Sequence, residues 1–488
     1  MPRNDELALA LEPGVRPRTL AVARALTAAI RSGALVPGQR LPGSRALGAR
    51  LGLTRNTVVA AYEALAAEGW LRMEGPKGTF VAPAELPPAP PAVQEGLRED
   101  PGYKIPPRRW RDRRPRPAAG PWTFPQPGVL SLSGGLPDLR LVPHEHLARA
   151  YRRALRAEGR RLLGYLEPGG HPRLRAALAA HVRARRGIPA GPENVLVTHG
   201  AQMALYLVAQ VLLQPGDRVG VERLGYPPAW DALGCAGAEL VPVPVDAEGL
   251  DVARLETQGD LRAVYVTPHH QYPTMAVMSP ARRLALLAWA ARRRAVIVED
   301  DYDNEVHYAG QPVLPLASMD GGRSVIYVGS LSKILAPGLR LGYLVAPAAV
   351  IEAMARLRLV VDRQGDQVLE RAVADLFEEG VVVGHARRVR RAYLERRDAL
   401  VEALRAELGD ALTFEVPAGG MALWARAPGV DTEAWSQRAA AAGVHFMPGR
   451  SLDVQHRLQH RARLGFAALD PHELREAVRR LAACRPPS

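Results

Sequence analysis

The stretch SVIYVGSLSKILAPGLRLGYLVA, Ser324 to Ala346, reads as an apolar strand, a loop rich in Ser, Pro and Gly, and a second apolar strand. β-Branched and aromatic residues supply the strands, and the turn formers between them mark the loop. The loop carries Lys333, which stands out because, among 64 Lys and Arg side chains, only Lys77, Lys104 and Lys333 are lysine. Upstream, similar apolar runs recur at NVLVTH from 194, RVGVE from 218, AELVPV from 238, LRAVYVT from 261 and RAVIVE from 294. Helical patterns such as Met203 to Leu213 and Arg282 to Arg293 fall between several of them. This alternation predicts βαβ units, hence an α/β domain with a mainly parallel central sheet covered on both faces. Short strands with a helix after about residue 412 predict a smaller C-terminal subdomain.

In an open parallel sheet, ligands bind beyond the carboxyl ends of the strands, so the polar residues after each run are the ones to weigh. Asp300, Asp301 and Tyr302 follow RAVIVE, Ser330 to Lys333 close SVIYVG, and Gly200, Ala201 and Gln202 follow NVLVTH. A lone lysine at a strand end usually faces solvent; the surrounding set reverses that reading. Asp300 is either a strand-ending turn residue or a carboxylate aimed at a buried cation. Ser330 and Arg340 flank Lys333 and offer a hydroxyl and a guanidinium suited to phosphate. Gly200 to Gln202 opens a helix, where free N–H groups and the helix dipole favour an anion. A lysine for a Schiff base, a carboxylate for a ring nitrogen, a phenol such as Tyr302 for a ring oxygen and a phosphate cradle are what pyridoxal phosphate (PLP) requires.

The head of the chain follows a different pattern. Leu20, Ala23, Leu26 and Ile30 recur at helical spacing and stop at Gly33. Ser44 as N-cap predicts a short second helix through Leu51, broken at Gly52. Thr54 as N-cap predicts a third, with Val58, Val59, Tyr62 and Leu65 on its apolar face and an end at Gly69. Two short helices about a tight Gly-containing turn are helix-turn-helix geometry, although a three-helix cap with no DNA role has the same spacing. WLRMEGPKGTFVA, Trp70 to Ala82, reads as two strands about a Gly-Pro-Lys-Gly turn, a β-wing. On the DNA reading, Arg45 opens the second helix. Thr54, Arg55, Asn56 and Thr57 begin the recognition helix, and Lys77 and Gly78 form the wing tip, all placed for phosphates or base edges. Arg50 and Arg72 are as readily solvated arginines, and Val58-Val59 in the next turn leaves fewer base contacts.

At 488 residues the chain is long enough for two or three domains, and its 47% hydrophobic and 23% charged residues are a soluble globular balance. The expected division is a winged helix-turn-helix over 13–83, a Pro- and Arg-rich linker over 84–128 and the α/β domain over 129–485. Within the linker the run Arg108 to Arg116 is either solvated or a phosphate contact. The net charge of +14 suits nucleic acid, but Arg, Ala, Gly and Pro richness of GC-rich coding accounts for it as well. No apolar stretch of 18 residues lacks a charge or turn former, and MPRNDELALA has no apolar segment behind a basic cap, so a cytoplasmic protein without a membrane partner is expected. Cys235 and Cys484 lie too far apart in sequence to form a disulfide framework or a metal-ligand cluster, and no metal is expected.

GSLSKILAPGLRLGY, Gly329 to Tyr343, resembles the Schiff-base segment of fold-type I aminotransferases, with Arg340 seven residues after Lys333. VEDDYDNE, Val298 to Glu305, is similar to their pyridinium-aspartate segment. LVPGQRLPGSRALGARLGLTRNTVVAAYEALAAEGWL, Leu35 to Leu71, resembles the GntR winged helix. Head, linker and tail in this order resemble the MocR/GabR subfamily of GntR regulators over nearly the whole chain apart from the linker. The resemblance implies that Lys333 forms the internal aldimine, Asp300 pairs the ring nitrogen and Tyr302 bonds the phenolic oxygen. It implies that Ser330, Arg340, Gly200, Ala201 and Gln202 hold phosphate. Tyr226 in RLGYPP falls where an aromatic stacks on the ring, though a structural aromatic in a Pro-flanked turn fits too. Arg463 in RARLGFA resembles the arginine that grips a substrate carboxylate, with Arg461 as the competing surface reading. Tyr165 in GYLEPGG matches a position that reaches a partner subunit's phosphate, but Leu166-Glu167-Pro168 departs from the family's Gly-Asp-Pro. PHHQYPTM also departs: Tyr272 and Met275 stand where many aminotransferases have the Asn and Gly of Asn-Pro-x-Gly.

The implied function is a PLP-dependent transcription regulator that senses PLP, or an amino compound forming an external aldimine, and switches binding to double-stranded operator DNA. A homodimer, including a head-to-tail arrangement, is the implied assembly. An active aminotransferase with an appended DNA-binding head is the alternative, and a DNA-binding protein whose tail only dimerises is a third class that predicts no cofactor. The effector, the operator, the direction of regulation and turnover are not written in these motifs.

Overall fold

The computed structural model describes residues 9, 11, 17–83, 128–308 and 314–486, so the linker expected over 84–128 lies, apart from residue 128, outside the described residues. The chain divides into two compact units, Met1–Pro106 and Pro107–Ser488.

In the first unit α1 (Arg18–Arg31), α2 (Ser44–Leu51) and α3 (Arg55–Ala67) are followed by β1 (Leu71–Met73) and β2 (Thr79–Val81). The strands pair antiparallel, Leu71 opposite Val81. Their core is Val22, Leu26, Ile30, Leu35, Leu47, Val58, Ala61, Tyr62, Leu65, Leu71 and Val81. The stripe on α1 therefore runs Val22-Leu26-Ile30 at i, i+4 spacing, and Leu20, expected on it, is 41% exposed. Ala61 replaces Val59 on the fully buried face of α3. Thr54 does cap α3, accepting from the Thr57 N–H at 3.3 Å, but Ser44 is the first residue of α2 rather than its cap, which is Gly43. Gly52 ends α2 with φ +65°, a left-handed turn open to glycine at little cost.

In the second unit seven strands form one sheet: β3 (Val195–Thr198), β4 (Arg218–Glu222), β5 (Glu239–Val243), β6 (Ala263–Val266), β7 (Val296–Asp301), β8 (Val325–Ser330) and β9 (Gly342–Val345). Their order is β3-β9-β8-β7-β6-β4-β5. All the expected strands are present and the pairs among β4 to β8 are parallel, whereas β9 runs antiparallel to both β8 and β3. That reversal turns Ser324 to Ala346 into an up-and-back unit with Lys333 in its connecting loop. Alternate residues enter two cores, Val264, Ile297 and Tyr327 on one face, Tyr265, Val298 and Val328 on the other. Burial on both faces explains the near-continuous apolar text of the strands.

The flanking helices include α4 (His144–Leu162), α5 (Pro172–Arg186), α6 (Gly200–Leu212), α7 (Pro280–Arg293), α8 (Ala348–Val361), α9 (Val381–Leu408) and α10 (Pro471–Ala483). The expected C-terminal subdomain is present. It contains β10 (Ala422–Arg426), β11 (Met447–Pro448) and β12 (Arg461–Gly465), in the order β10-β12-β11, around a core shared with α9 and α10. Among the described residues no helix is long and apolar enough to cross a membrane.

One glycine pair sets how closely α6 approaches the sheet. A Cβ on Gly342 would lie 2.6 Å from the Gly200 carbonyl carbon and 2.8 Å from the Ala201 nitrogen, whereas Gly338 has nothing within 4 Å. Gly342→Ala should therefore lower the stability of the large unit by about 1–3 kcal/mol through overpacking against backbone. Gly338→Ala should leave the urea midpoint unchanged or slightly raised, and equal effects of the two substitutions would show that the close approach is not tight.

Candidate functional site

Lys333 lies in the loop between β8 and β9, and its Nζ donates to the Gly135 carbonyl at 2.5 Å. A Cβ at Gly135, which has φ +87°, would stand 3.5 Å from that Nζ. Burial, and next to it the positive charge of Arg463, pull the ammonium down to about 8, while Asp303 and Asp300 act in the opposite sense. A free amine at moderate pH is what covalent chemistry with a carbonyl compound needs.

Asp300 lies inside the carboxyl end of β7 and is buried, which favours the carboxylate reading over a turn residue. Its Oδ2 accepts from Tyr265 at 2.7 Å, and its Oδ1 is buried without a hydrogen-bond partner. Burial pushes it up to about 7, against the pull of the Tyr265 hydrogen bond. Strand alternation puts Glu299 and Asp301 on the other face. There Glu299 accepts from the N–H groups of Leu316 and Ala317, and Asp301 accepts from Tyr327 and pairs with Arg186. Of three adjacent acids, only Asp300 faces the site. Tyr302, expected to bond a ring oxygen, has its O–H donating to the His270 carbonyl at 3.1 Å.

Arg463 comes from the middle of β12 and is 0% exposed. Among the described residues none of its three guanidinium nitrogens has a hydrogen-bond partner, and the guanidinium lies over the face of Tyr272, 4.4 Å from the centroid. The guanidinium lies against Gly134, where a Cβ would fall 1.8 Å from Nη1. Arg461, the competing residue, is only half-buried. A buried, hydrogen-bond-deficient guanidinium costs free energy that a bidentate carboxylate recovers.

The expected phosphate cradle is partly assembled. Gly200, with φ +73°, starts α6 against Arg340, whose Nη2 donates to the His199 carbonyl at 2.9 Å. Arg340 is exposed and has φ +52°, a left-handed conformation costing a non-glycine residue roughly 1–2 kcal/mol. Ser330 Oγ accepts from the Ser332 N–H at 3.2 Å, and Ala201 lies in the first turn of α6. The Gln202 side-chain amide donates to the Pro228 carbonyl at 2.8 Å, in the first turn of the helix Pro227–Cys235, while its backbone N–H lies in the first turn of α6. Tyr226 packs edge-on against Tyr272, ring centroids 5.4 Å apart. Tyr165 is 78% exposed, with Arg363 over its ring.

Several contributors escaped the sequence reading. Gly134 and Gly135 lie far upstream, and only their adjacency in LSGGLP hinted at a close backbone approach. Tyr265 looked like one more apolar strand residue. Three histidines also gather beside the site. His270 Nδ1 is 2.8 Å from Asp303 Oδ1, His307 Nδ1 is 3.5 Å from His270 Nε2, and the His269 and His270 rings are 4.3 Å apart. Burial and the neighbouring rings hold His269 well below the ordinary imidazole value.

These residues fit PLP. The partnerless Asp300 Oδ1 matches a protonated ring nitrogen, the depressed Lys333 matches an imine-forming amine, and the partnerless Arg463 matches a carboxylate beside it. Replacing the family's glycine, Met275 holds φ +65° while its side chain is buried beside Gly420. Replacing asparagine, Tyr272 covers the Arg463 guanidinium.

In the first unit Arg45, Thr54, Arg55, Asn56 and Lys77 are exposed, and Thr57 and Gly78 half-buried. Thr54 and Thr57 share a side-chain hydrogen bond of 2.9 Å that closes the helix cap, leaving Arg55 and Asn56 as the outward polar pair at the start of α3. A Cβ at Gly78, φ +113°, would meet Arg40 at 2.9 Å, so the wing tip requires glycine. Arg72 pairs with Glu74 at 2.8 Å, which weakens it as a phosphate contact.

Comparison with known proteins places both units. Residues 128–481 match the family "Aminotransferase class I and II", and residues 18–81 match "Bacterial regulatory proteins, gntR family". The chain is 36% identical to the probable rhizopine catabolism regulatory protein MocR of Rhizobium meliloti, over 93% of this chain and 91% of that one. It is 38% identical to the HTH-type transcriptional regulator TauR of Rhodobacter capsulatus, over 94% of each. Among solved structures, LysN, an α-aminoadipate aminotransferase of Thermus thermophilus complexed with N-(5'-phosphopyridoxyl)-L-leucine, superposes with a TM-score of 0.69 at 33% identity. That match covers 73% of this chain and 92% of LysN.

Arg463→Met removes a buried cation that lacks acceptors and keeps the volume nearly constant. In PLP-free protein it should raise stability by about 1–3 kcal/mol in urea unfolding, after loss of the ~1 kcal/mol ring contact with Tyr272. A fall in the midpoint would show that the guanidinium is structural.

Proposed function

The chain belongs to the GntR-family regulators of the MocR type, a winged helix-turn-helix joined to an aminotransferase class I and II domain, and from that premise we propose how it works. The larger unit binds PLP and senses an amino compound that carries a carboxylate, and this event changes the affinity of the head for double-stranded operator DNA. The protein is a DNA-binding transcription regulator. The observation that carries the sensing reading is Arg463, a fully buried guanidinium without an acceptor, set with Lys333 about the Gly134-Gly135 backbone.

Bound PLP supplies an electrophilic carbon that amines attack and a ring able to take up electron density. Lys333, as a neutral amine, would be the protein's nucleophile toward that carbon. Asp300, fixed by Tyr265, would pair with the ring nitrogen, and Tyr302 would serve the ring oxygen. Ser330, Arg340 and the start of α6 at Gly200, Ala201 and Gln202 would supply phosphate donors, Tyr226 would line the ring's side, and Arg463 would grip the carboxylate of the incoming compound. Coupling to DNA needs only that the liganded unit favour one arrangement of the molecule over another. Arg45, Arg55, Asn56 and Lys77 meet the operator, with Thr54, Thr57 and Gly78 shaping the surface they stand on.

The working form is a homodimer. Leu163, Tyr165, Leu359, Val360 and Val361 are exposed apolar side chains on two adjoining segments, joined by the hydrogen bond from the Leu166 N–H to Gln364. A two-fold or direct-repeat operator follows from a dimer, including one paired head to tail. Action on chromosomal DNA places the protein in the cytoplasm.

An active aminotransferase is the second reading, favoured by the likeness to LysN and by the Lys333, Asp300 and Arg463 set. Tyr272 and Met275 speak for sensing instead, because they fill and stiffen the wall where asparagine and glycine are usual. Titrating the PLP-loaded protein with amino acids while following its chromophore and operator affinity separates the two. A stable spectral change with altered DNA binding supports the sensor. Accumulation of keto acid and pyridoxamine phosphate supports the enzyme, and a chromophore indifferent to every amine points to PLP itself as the signal.

Lys333→Ala should abolish the lysine-bound chromophore, and Arg55→Ala should weaken operator binding by about 1–3 kcal/mol with the chromophore intact. Loss of both properties in Arg55→Ala would sink this division of labour. The pH dependence follows from the depressed Lys333. The neutral amine grows as pH rises through about 8, so PLP capture by the PLP-free protein should accelerate to a plateau just above that pH. An ordinary lysine would still be accelerating at pH 10.

A further inference from the structure

The loop after β6 and the segment after β7 bring His269, His270 and His307 together, 3%, 1% and 8% exposed. Each offers one ring nitrogen, and these nitrogens lie within 4.8 Å of one another, the one such group of three or more His, Cys, Asp or Glu among the described residues. The 3.5 Å between His270 Nε2 and His307 Nδ1 is close to the ~3.4 Å edge of a tetrahedron with metal–nitrogen bonds of ~2.1 Å. His270 gives its other nitrogen to Asp303 at 2.8 Å, the carboxylate–imidazole arrangement that orients metal-ligating histidines. Neither nitrogen of His269 has a hydrogen-bond partner, an expensive state for a buried imidazole that coordination relieves. Gly419 admits the His270 ring, since a Cβ there would lie 2.3 Å from His270 Nε2.

The surrounding charges permit a cation. Arg186 is balanced by Asp301 and Glu305, and Arg283 donates to the carbonyls of Met278, Leu314 and Pro268. Asp303 is left as the buried negative charge next to the rings, its Oδ2 without a hydrogen-bond partner.

We propose that His269, His270 and His307 bind a divalent transition metal of the imidazole-preferring class, such as Zn²⁺, with Asp303 orienting His270. The metal ties the loop that carries Tyr272 to the segment that carries Tyr302, and so fixes two walls of the PLP site. The assignment rests on the histidine geometry alone and stands whether or not PLP binds.

The test uses the full-length, tag-free, PLP-free chain stripped with chelator and titrated with Co²⁺, read by visible d–d absorption and by metal content after gel filtration. Wild type should retain one Co²⁺ per chain with the strong bands of a low-symmetry site, displaced by Zn²⁺. His269→Asn should lose that retention, and Asp303→Asn should weaken it roughly 10–100-fold. The wild-type spectrum decides even where a variant fails to fold: absence of d–d bands overturns the site. Retention undiminished in a folded His269→Asn also overturns it, and would assign the metal to surface histidines such as His144 and His146.

Discussion

Removal of charge from water at the carboxyl ends of the sheet is the constraint on which this structure turns. Arg463, Asp300 and Asp303 are buried and act electrostatically on Lys333, so none of the four keeps its ordinary hydration. Burial lowers the lysine and raises the aspartate, so both move toward neutrality in the resting protein. The Arg463 guanidinium is held by little more than a ring face. The site is thus built against its own stability, which is common where binding is the purpose. The sheet bears the cost: both faces are apolar, and strands and loops are locked by glycine contacts such as Gly342 against Gly200.

The departures from an ordinary aminotransferase wall share one physical theme. Tyr272 lies on the guanidinium that a carboxylate must reach, and Met275 keeps a left-handed backbone despite its side chain. Both make that wall bulkier and less able to readjust during successive steps. A sensor has to hold one liganded state, whereas an enzyme has to pass through several, so a stiffer wall suits the first task better.

The strands, and many of the residues that gather at the candidate site, are legible in the sequence because these signals are local. Strand text is apolar on both faces, Lys333 is rare by type, and Asp300 and Arg340 stand at fixed distances from strand ends. What it missed was set by tertiary approach. Gly134 and Gly135 reach Lys333 from nearly two hundred residues away, as the 198-residue separation of the Lys333–Gly135 bond records. His307 joins His270 across 37 residues with no periodic spacing. The reversal of β9 was illegible for the same reason, since apolar text does not encode direction. In the head, Leu20 and Val22 both satisfy a helical period, and only packing chose between them. The direction of the Gln202 side chain was not legible, because a helix position does not fix a rotamer.

The pairing of β3 with β9 carries a consequence for the order in which the protein is made. Val195 of β3 meets Val345 of β9, so the edge of the sheet beside Lys333 cannot close until most of the large unit has left the ribosome. The winged helix has its own core and pairs its strands across a short turn, so it can fold as soon as it emerges. Each nascent chain therefore passes through an interval in which the winged helix is complete and the aminotransferase-type domain is not.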